Sequence, residues 1–282
     1  MIYTREKLKE YAEPISDTEN EMCKRAIRMV RDALVKAGYD LDEELKQYDE
    51  YTFYYEKRDK YGATLTILLQ GSYANKTNIK HTSDVDVAIL YKPIIPIAFE
   101  KYKQSILNAL AMHFGKENVE RKNKSIKVKG NSARKDIDVV PAFYATYVRE
   151  GIYFYTDNGE KIINYPLQHI DNSKNKNKRT DYNYKRYVRI FKNIKRDLGY
   201  EKLGSFQLES LLYNLPDGVF SDYTYSLELG VKLIINSLCS VKHKIRDFKE
   251  GNGIKLLVKN DEIYRNILMF IELLDKTVEA RN

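Results

Sequence analysis

Two chemically unlike features lie close together in the stretch LLQGSYANKTNIKHTSDVDVAIL, residues 68–90. Gly71-Ser72 ends an apolar run, and twelve residues after Ser72 the chain presents two carboxylates, Asp84 and Asp86, with one valine between them. A stretch selected only for folding has no need of this arrangement. Chemistry on a phosphate group would give both features a use.

The residues around these features predict two strands. Residues 63–69 are apolar and partly β-branched, which indicates a buried strand that Gly71-Ser72 closes. Residues 85–90 indicate a second strand, which Pro93 and Pro96 end because proline cannot donate a hydrogen bond to a sheet. The two carboxylates therefore stand at the start of the second strand.

Asp84 and Asp86 project from the same face of that strand, because alternate side chains share a face. Two carboxylates so close together repel each other unless a cation lies between them. Mg²⁺ or Mn²⁺ is the natural cation, since these ions bind carboxylates together with substrate phosphate oxygens. A third carboxylate, Asp138, would complete a site for two ions about 3.5–4 Å apart, which suits in-line phosphoryl displacement.

Gly71-Ser72 gains a role beside such a site. Gly71 lacks a side chain and therefore lets a phosphate approach the backbone. If residues 72–78 begin a helical turn, their free amides offer an anion site, and the hydroxyl of Ser72 adds another donor. We therefore expect the turn and the two carboxylates to face the same phosphate.

The N-terminal part of the chain predicts one long helix. Ser16-Asp17-Thr18-Glu19 has the pattern of a capping box, in which serine and glutamate each satisfy a free amide at the helix start. Apolar residues then recur at spacings of three and four up to Ala37, and Gly38 supplies a C-terminal stop. We expect this helix to pack along the body as a spine. Residues 44–60, which are polar and rich in tyrosine, favour a further helix.

A hairpin is predicted in the middle of the chain. Residues 125–129 and 135–140 both alternate in polarity, and Gly130-Asn131 supplies the turn between them. The second strand carries two carboxylates, Asp136 and Asp138, on one face. Either of them is therefore a candidate for the third carboxylate of the site.

The C-terminal part predicts a helical lobe. Its first amphipathic helix has an apolar face that runs from Tyr184 to Leu198, and Asn172–Arg179, rich in lysine and asparagine, is expected to be a loop. The other predicted elements are a helix at 97–113, a hairpin at 152–163 and helices at 206–214, 221–239 and 260–279. We expect an α+β fold divided into residues 1–165 and residues 166–282.

The composition indicates a globular protein with a sizeable core. The 282 residues are 43% hydrophobic and 31% charged, and they contain no linker rich in glycine, serine or proline. The net charge of +8 favours polyanionic partners such as nucleotides or nucleic acid, and a lysine-rich solvated surface explains it equally well. With two cysteines, no apolar run that could cross a bilayer and no apolar signal-peptide core, we expect a cytoplasmic protein without membrane contact.

The combination of Gly-Ser, eleven intervening residues, Asp-Val-Asp and a later strand aspartate resembles the polymerase-β-like nucleotidyltransferases. The fuller pattern of QGSYANKT, SDVDVAI, DIDVVPAF, VRIFKNIKRDL and GSFQLESLLYN is similar to the cGAS/DncV-like nucleotidyltransferases, or CD-NTases. In bacteria these enzymes make cyclic oligonucleotides in the CBASS anti-phage systems. The resemblance covers most of residues 14–215. It implies a polymerase-β-like core with a mixed or antiparallel sheet and flanking helices, followed by a helical C-terminal lobe.

The resemblance also implies roles for individual residues. Asp84, Asp86 and Asp138 match the family's catalytic carboxylates, which bind two Mg²⁺ ions, with Mn²⁺ as an alternative. Gly71-Ser72 matches the phosphate-holding turn of the family, and Gln70 stands directly before it. Together these residues would bind the triphosphate and its metal ions.

Three further nucleotide-binding residues rest on a looser alignment. Lys192 matches a basic residue that reaches the triphosphate, Ser205 a contact to a terminal phosphate, and Phe206 an aromatic residue that stacks on a base. From the residues alone, Lys192 could equally lie on the solvated face of a basic helix, and Phe206 could lie in the core. Asp136 competes with Asp138 for the third carboxylate position, and we prefer Asp138 because Val-Val-Pro follows it as in the family.

The predicted enzyme joins nucleoside triphosphates into a cyclic di- or oligonucleotide for anti-phage defence, by attack of a ribose hydroxyl on an α-phosphate with release of pyrophosphate. We expect a monomer whose product, rather than the enzyme itself, reaches a downstream effector. Two alternatives stay open. The first is transfer to another acceptor, namely an RNA end, an antibiotic or a protein. The second is activation by RNA bound to the basic residues 174–179, for which a mobile solvated loop is the competing explanation.

Overall fold

The structure is a computed structural model, and it describes residues 3–42, 46–47, 53–58, 64–81, 84–93, 95–145, 151–220 and 226–279. Contacts divide the chain into two compact units. The sheet unit comprises Ile15–Asn75 and Lys80–Ile170, and the helical unit comprises Met1–Pro14, Lys76–Ile79 and Asp171–Asn282. The predicted division had placed all of residues 1–165 together.

Helices and strands alternate irregularly along the chain. The helices are α1 (Arg5–Ala12), α2 (Asp17–Lys36), α3 (Gly71–Ala74), α4 (Phe99–Phe114), α5 (Pro166–Arg179), α6 (Asn183–Asp197), α7 (Ser205–Tyr213), α8 (Leu227–Ser240) and α9 (Asp261–Glu279). The strands are β1 (Lys46–Gln47), β2 (Phe53–Arg58), β3 (Thr64–Gln70), β4 (Val85–Lys92), β5 (Val119–Arg121), β6 (Ile126–Val128), β7 (Ile137–Tyr144), β8 (Ile152–Tyr155) and β9 (Lys161–Asn164). In the described part of the chain, no helix is both long and apolar enough to cross a membrane.

The sheet unit is built on one mixed sheet with the strand order β1-β2-β3-β4-β7-β6-β5. Strands β4 and β7 are parallel, and the neighbouring pairs are antiparallel. The predicted hairpins are β6–β7 and β8–β9. The α+β fold with a mixed sheet, flanking helices and a helical C-terminal domain is therefore confirmed.

The two faces of this sheet pack differently. On β4, Val87 and Ile89 pack into a core that α2 and α4 cover, together with alternate residues of β3, β6 and β7. Ala88 and Leu90 point to the opposite face, where they join a smaller apolar cluster. Because side chains alternate along a strand, Asp86 shares the face of Ala88 and lies opposite the face that α2 covers.

The spine helix α2 starts and ends where the sequence predicts. The hydroxyl of Ser16 accepts a hydrogen bond from the Glu19 amide at 3.2 Å, and Gly38 follows the helix with φ +91°. The prediction of a helix over 44–60 is wrong where the chain is described, since Lys46–Gln47 and Phe53–Arg58 are strands. Pairing of β2 with β3 decides the outcome, and the aromatic start of β2 suits a strand.

The helical unit has its own apolar core. The core is formed by α1, α6, α7, α8 and α9, with buried residues such as Leu8, Phe191, Leu211, Ile234 and Phe270. The predicted C-terminal helices are all present in the described residues, and residues 221–225 of one predicted helix lie outside them. Helix α1 was not predicted, and it packs against α6 and α8 of this unit.

The segment predicted as a lysine-rich loop is part of helix α5, so the loop prediction is wrong. The ammonium of Lys176 is buried, donates to Leu215 O at 2.7 Å and pairs with Asp217 at 2.8 Å. Three rings, those of Tyr184, Tyr213 and Phe220, surround it. The sequence misled because a lysine is normally solvated, whereas here an aspartate 41 residues away neutralises it.

Candidate active site

A row of polar side chains crosses the open face of the sheet. Strand register pairs Gln70 with Asp86, Asp86 with Asp138, Asp138 with Lys127, and Lys127 with Glu120. Neighbouring strands place such register partners side by side on one face. Two of the predicted carboxylates, Asp86 and Asp138, and the predicted Gln70 are therefore neighbours, although they come from three separate strands.

Asp84 and Asp136 form a second row beside the first. Asp84 directly precedes β4 and Asp136 directly precedes β7, and the parallel pairing of these strands extends the register to both. The two rows together bring four carboxylates to the start of the two strands. Apolar alternation fixes this outcome, because the residues between the carboxylates, Val85 and Ile137, are fully buried on the other face.

The turn after β3 is shaped to receive a carboxylate. Gly71 has φ +67°, a conformation that favours glycine, and it begins the single-turn helix α3. A Cβ atom at Gly71 would lie 2.0 Å from Asp86 Oδ2, so only glycine leaves room for the carboxylate. Ser72 follows on the same turn and is partly exposed. The predicted turn and the predicted carboxylate are thus in direct contact.

A lysine that the prediction missed compensates the charge of these carboxylates. The Nζ atom of Lys127 lies 2.9 Å from Asp84 Oδ2 and 2.9 Å from Asp136 Oδ2. The hydrogen bond to Asp136, with a further contribution from Asp84, raises the pKa of Lys127 above its ordinary value. The ammonium therefore stays charged at neutral pH and links the two strands.

Asp136 and Asp138 have different surroundings. Burial acts to raise the pKa of Asp136, but hydrogen bonds from Lys127 and from the Gly130 amide, the latter at 2.6 Å, lower it overall. Burial is the main reason why the pKa of Asp138 is raised, and the charge of Asp84 adds to the effect although Lys127 opposes it. Asp136 is thus held by the hairpin turn, whereas Asp138 is a half-buried carboxylate beside another carboxylate.

These carboxylates fit a divalent cation by their chemistry. Carboxylate oxygens from two neighbouring strands, on one face of the sheet, are the kind of donor that Mg²⁺ and Mn²⁺ prefer. The absence of a side chain at Gly71 leaves the space that the Asp86 carboxylate occupies. Among the residues that the structure describes, no three carboxylate, imidazole or thiol groups are already gathered around one point.

The spine helix anchors the segments that carry the carboxylates. Glu19 Oε1 accepts hydrogen bonds from the His81 amide at 2.8 Å and from Lys135 Nζ at 2.7 Å. His81 lies three residues before Asp84, and Lys135 directly precedes Asp136. The sequence indicated Glu19 only as a capping residue, because its other partners lie 62 and 116 residues away.

Lys192 is buried within the helical unit. Its side chain is 3% exposed, and its Nζ lies 3.2 Å from Glu209 Oε2, 3.0 Å from Thr77 O and 3.1 Å from Thr77 Oγ1. Arg189, one helical turn earlier, donates to Lys76 O at 2.8 Å. Helix α6 thus binds the segment Lys76–Ile79, which begins four residues after Ser72 of the predicted phosphate turn.

Ser205 and Phe206 begin helix α7 of the helical unit. Both residues are exposed, Phe206 by 44%. The alternative that Phe206 belongs to the core is therefore wrong, because the apolar face of α7 is formed instead by Leu208, Leu211 and Leu212. The predicted roles of Ser205 and Phe206 in nucleotide binding stay predictions.

The basic residues considered for RNA binding are partly used inside the protein. Lys176 and Arg179 both pair with Asp217, and Lys176 is buried. Lys178 is exposed and Lys174 is partly buried. The segment therefore offers fewer solvated charges to a polyanion than its sequence indicates.

Comparisons with known proteins agree with this geometry. Residues 52–177 match the Second Messenger Oligonucleotide or Dinucleotide Synthetase domain, and residues 171–279 match the cGAS/DncV-like nucleotidyltransferase C-terminal helical domain. The chain is 33% identical to the cyclic GMP-AMP synthase CdnE03 of Staphylococcus schleiferi, over 96% of each sequence. It is 30% identical to a cyclic dipurine nucleotide synthase of Elizabethkingia meningoseptica, over 92% of each.

Solved structures show the same architecture. The structure of the Elizabethkingia meningoseptica CdnE cyclic dinucleotide synthase with GTP and Apcpp matches 98% of this chain and 99% of its own, with a TM-score of 0.77 and 28% identity. The fold, the carboxylate face and these relatives define a nucleotidyltransferase. The chain belongs to the cGAS/DncV-like nucleotidyltransferase family, whose matched relatives are synthases of cyclic nucleotides.

Proposed function

We propose that this enzyme joins nucleoside triphosphates into a cyclic di- or oligonucleotide that acts as a second messenger in anti-phage defence in the cytoplasm. The observation that carries the proposal is the contact between the Gly71 turn and Asp86, which lies beside Asp138 on the open sheet face. Relatives that are cyclic GMP-AMP and cyclic dipurine synthases support the nature of the product.

In the proposed reaction, Asp84, Asp86 and Asp138 would hold two Mg²⁺ ions, or Mn²⁺. When bound, these ions would neutralise the phosphates and favour deprotonation of the attacking hydroxyl. Asp138, a half-buried carboxylate beside Asp86, would accept that proton. The ribose oxygen bonds to the α-phosphorus while the bond to the β-phosphate oxygen breaks, and pyrophosphate carries away the electron pair. A second transfer on the linear intermediate closes the ring.

The remaining predicted residues would bind the nucleotide. Gly71-Ser72 and Gln70 would contact the triphosphate, and their place beside Asp86 supports this role. Ser205 and Phe206 are exposed, which supports contact with a terminal phosphate and a base. Lys192 is the weakest of the set, because its ammonium already has Glu209 and Thr77 as partners.

Identification of the product tests this proposal directly. The purified chain is incubated with Mg²⁺ and the four nucleoside triphosphates, singly, in pairs and together, and the products are identified by mass spectrometry after phosphatase treatment. A cyclic product resists phosphatase because it has no terminal phosphate. Formation of such a product without any further acceptor supports the proposal. Transfer of the nucleotide to an RNA end, an antibiotic or a protein would establish the alternative transferase. A cyclic product that forms only when RNA is added would establish RNA activation.

Substitution of Gly71 tests the contact that carries the proposal. Gly71→Ala should reduce kcat about a hundredfold, because the new methyl group displaces the Asp86 carboxylate by at least one ångström. Strain at φ +67° should also lower the free energy of unfolding by about 1–2 kcal/mol. Initial rates of product formation and thermal unfolding measure the two effects.

Gly159→Ala is the matched control for this substitution. Gly159 has φ +80° in the turn between β8 and β9, and no atom lies within 4 Å of a Cβ built on it. It should therefore show the same backbone strain with an unchanged kcat. Equal activity of the two variants would show that the reaction does not depend on the space that Gly71 leaves for Asp86.

A further inference from the structure

Lys127 contacts two of the four carboxylates and lies beside a third. It is the register partner of Asp138 on the open sheet face, and its Nζ lies 2.9 Å from both Asp84 Oδ2 and Asp136 Oδ2. Its side chain is 25% exposed. One ammonium therefore bridges the residues that precede two parallel strands.

The two carboxylates that share this ammonium differ in what else holds them. Asp136 Oδ1 accepts a hydrogen bond from the Gly130 amide at 2.6 Å, which fixes Asp136 to the turn between β6 and β7. Asp84 is 41% exposed and stands at the start of β4. In the proposed function Asp84 binds a divalent cation, so the cation and Lys127 compete for the same carboxylate.

This ion pair differs from an ordinary pair on a protein surface. Exposed ion pairs usually contribute little, because water screens both charges. Here Asp86 and Asp138 lie in the next row of the same face, so several negative charges surround the ammonium instead of one. Loss of the ammonium would leave these carboxylates to repel one another until another cation binds.

We propose that Lys127 is a positioning residue that holds Asp84 in the metal-free enzyme, releases it to the incoming divalent cation and remains on Asp136. The inference rests on the proposed function. It gives the two carboxylates on the β7 face different partners, with Asp136 assigned to the lysine and Asp138 to the cation. Lys127 thereby stabilises the metal-free protein and limits its affinity for the cation.

Binding of Mn²⁺ to the full chain without nucleotide tests the inference. Lys127→Met should bind Mn²⁺ about tenfold more tightly than the wild type, because a competing charge close to the site is removed. Without Mn²⁺ the Tm of the variant should fall by about 2–4 °C, and saturating Mn²⁺ should raise it by more than it raises that of the wild type. Electron paramagnetic resonance of free Mn²⁺ gives the Kd, and scanning calorimetry gives the Tm.

Lys129→Met is the matched control. Lys129 is exposed and follows β6, and its Nζ donates to the backbone oxygen of Glu117 at 3.1 Å. Lys129→Met changes the net charge by the same amount as Lys127→Met, and it should bind Mn²⁺ with the Kd of the wild type. Lys127→Gln provides a second variant should the methionine variant fail to fold, and Mn²⁺ affinity that is equal to or weaker than that of the wild type would overturn the inference.

Asp86→Asn separates failure of this inference from failure of the proposed function. If Asp86→Asn weakens Mn²⁺ binding while removal of the Lys127 charge does not tighten it, the cation site stands and the inference about Lys127 fails. If wild type and Asp86→Asn bind Mn²⁺ equally, the carboxylates are not the cation site, and the inference fails together with the proposed roles of the carboxylates, whereas the identity of the product still decides the proposed reaction.

Discussion

Asp86→Asn is expected to reduce formation of the cyclic product about a thousandfold while the protein stays folded. The substitution keeps the shape of the side chain but replaces the carboxylate with a neutral amide, which binds Mg²⁺ much more weakly. Loss of charge stabilisation at the phosphates is responsible for the effect. Asp86 is only partly buried and lies beside Asp138, so removal of its charge lessens repulsion between carboxylates. Initial rates with α-labelled triphosphates and a Tm measurement record both expectations.

Glu120→Gln is the control for Asp86→Asn. Glu120 belongs to the same polar row, as the register partner of Lys127, but it is exposed at the outer strand β5 and pairs with Lys122. The same change from carboxylate to amide there should leave the rate within about twofold of the wild type. Full activity of Asp86→Asn would discredit the carboxylate face as the reaction centre, whatever the product of the wild type.

The carboxylates were predictable because local rules determine them. Asp84 and Asp86 alternate with buried residues of a single strand, so the face that they share follows from the period of two. The same alternation along the predicted hairpin strand places Asp136 and Asp138 on one face. Local rules do not decide whether Asp136 or Asp138 lies beside Asp86. The parallel pairing of β4 with β7 decides it, and these strands are far apart in the sequence.

Lys127 was missed for the same reason. Its alternation with Ile126 and Val128 was visible, and the turn at Gly130-Asn131 aligned its strand with the one that carries Asp138. Its contact with Asp84, 43 residues earlier, could not be predicted without the order of strands in the sheet. Pairing with β3 likewise determined the strand at Phe53–Arg58, where local composition favoured a helix.

Lys192→Met is expected to lower the free energy of unfolding by about 3–5 kcal/mol. Lys192 and Glu209 are each 3% exposed, and their Nζ and Oε2 atoms are 3.2 Å apart. Thr77 Oγ1 donates to the same carboxylate at 2.8 Å. Removal of the lysine leaves the Glu209 carboxylate buried without the cation that offsets its desolvation. Substitutions that leave a buried charge unpaired are among the most destabilising single changes. Urea unfolding followed by circular dichroism measures the loss.

Lys195→Met is the control on the same helix. Lys195 is partly exposed, and it lies 3.4 Å from Tyr200 O, so its replacement should change stability by less than about 0.5 kcal/mol. A loss as small as this for Lys192→Met would contradict the buried pair.

A double variant separates the structural role of Lys192 from its predicted contact with the triphosphate. Lys192→Met combined with Glu209→Leu removes both charges, so it should be more stable than Lys192→Met alone. If the restored protein binds ATP as the wild type does, Lys192 serves to hold the segment Lys76–Ile79 against α6. If stability returns but ATP affinity does not, the same ammonium also contacts the nucleotide, as the family resemblance implies.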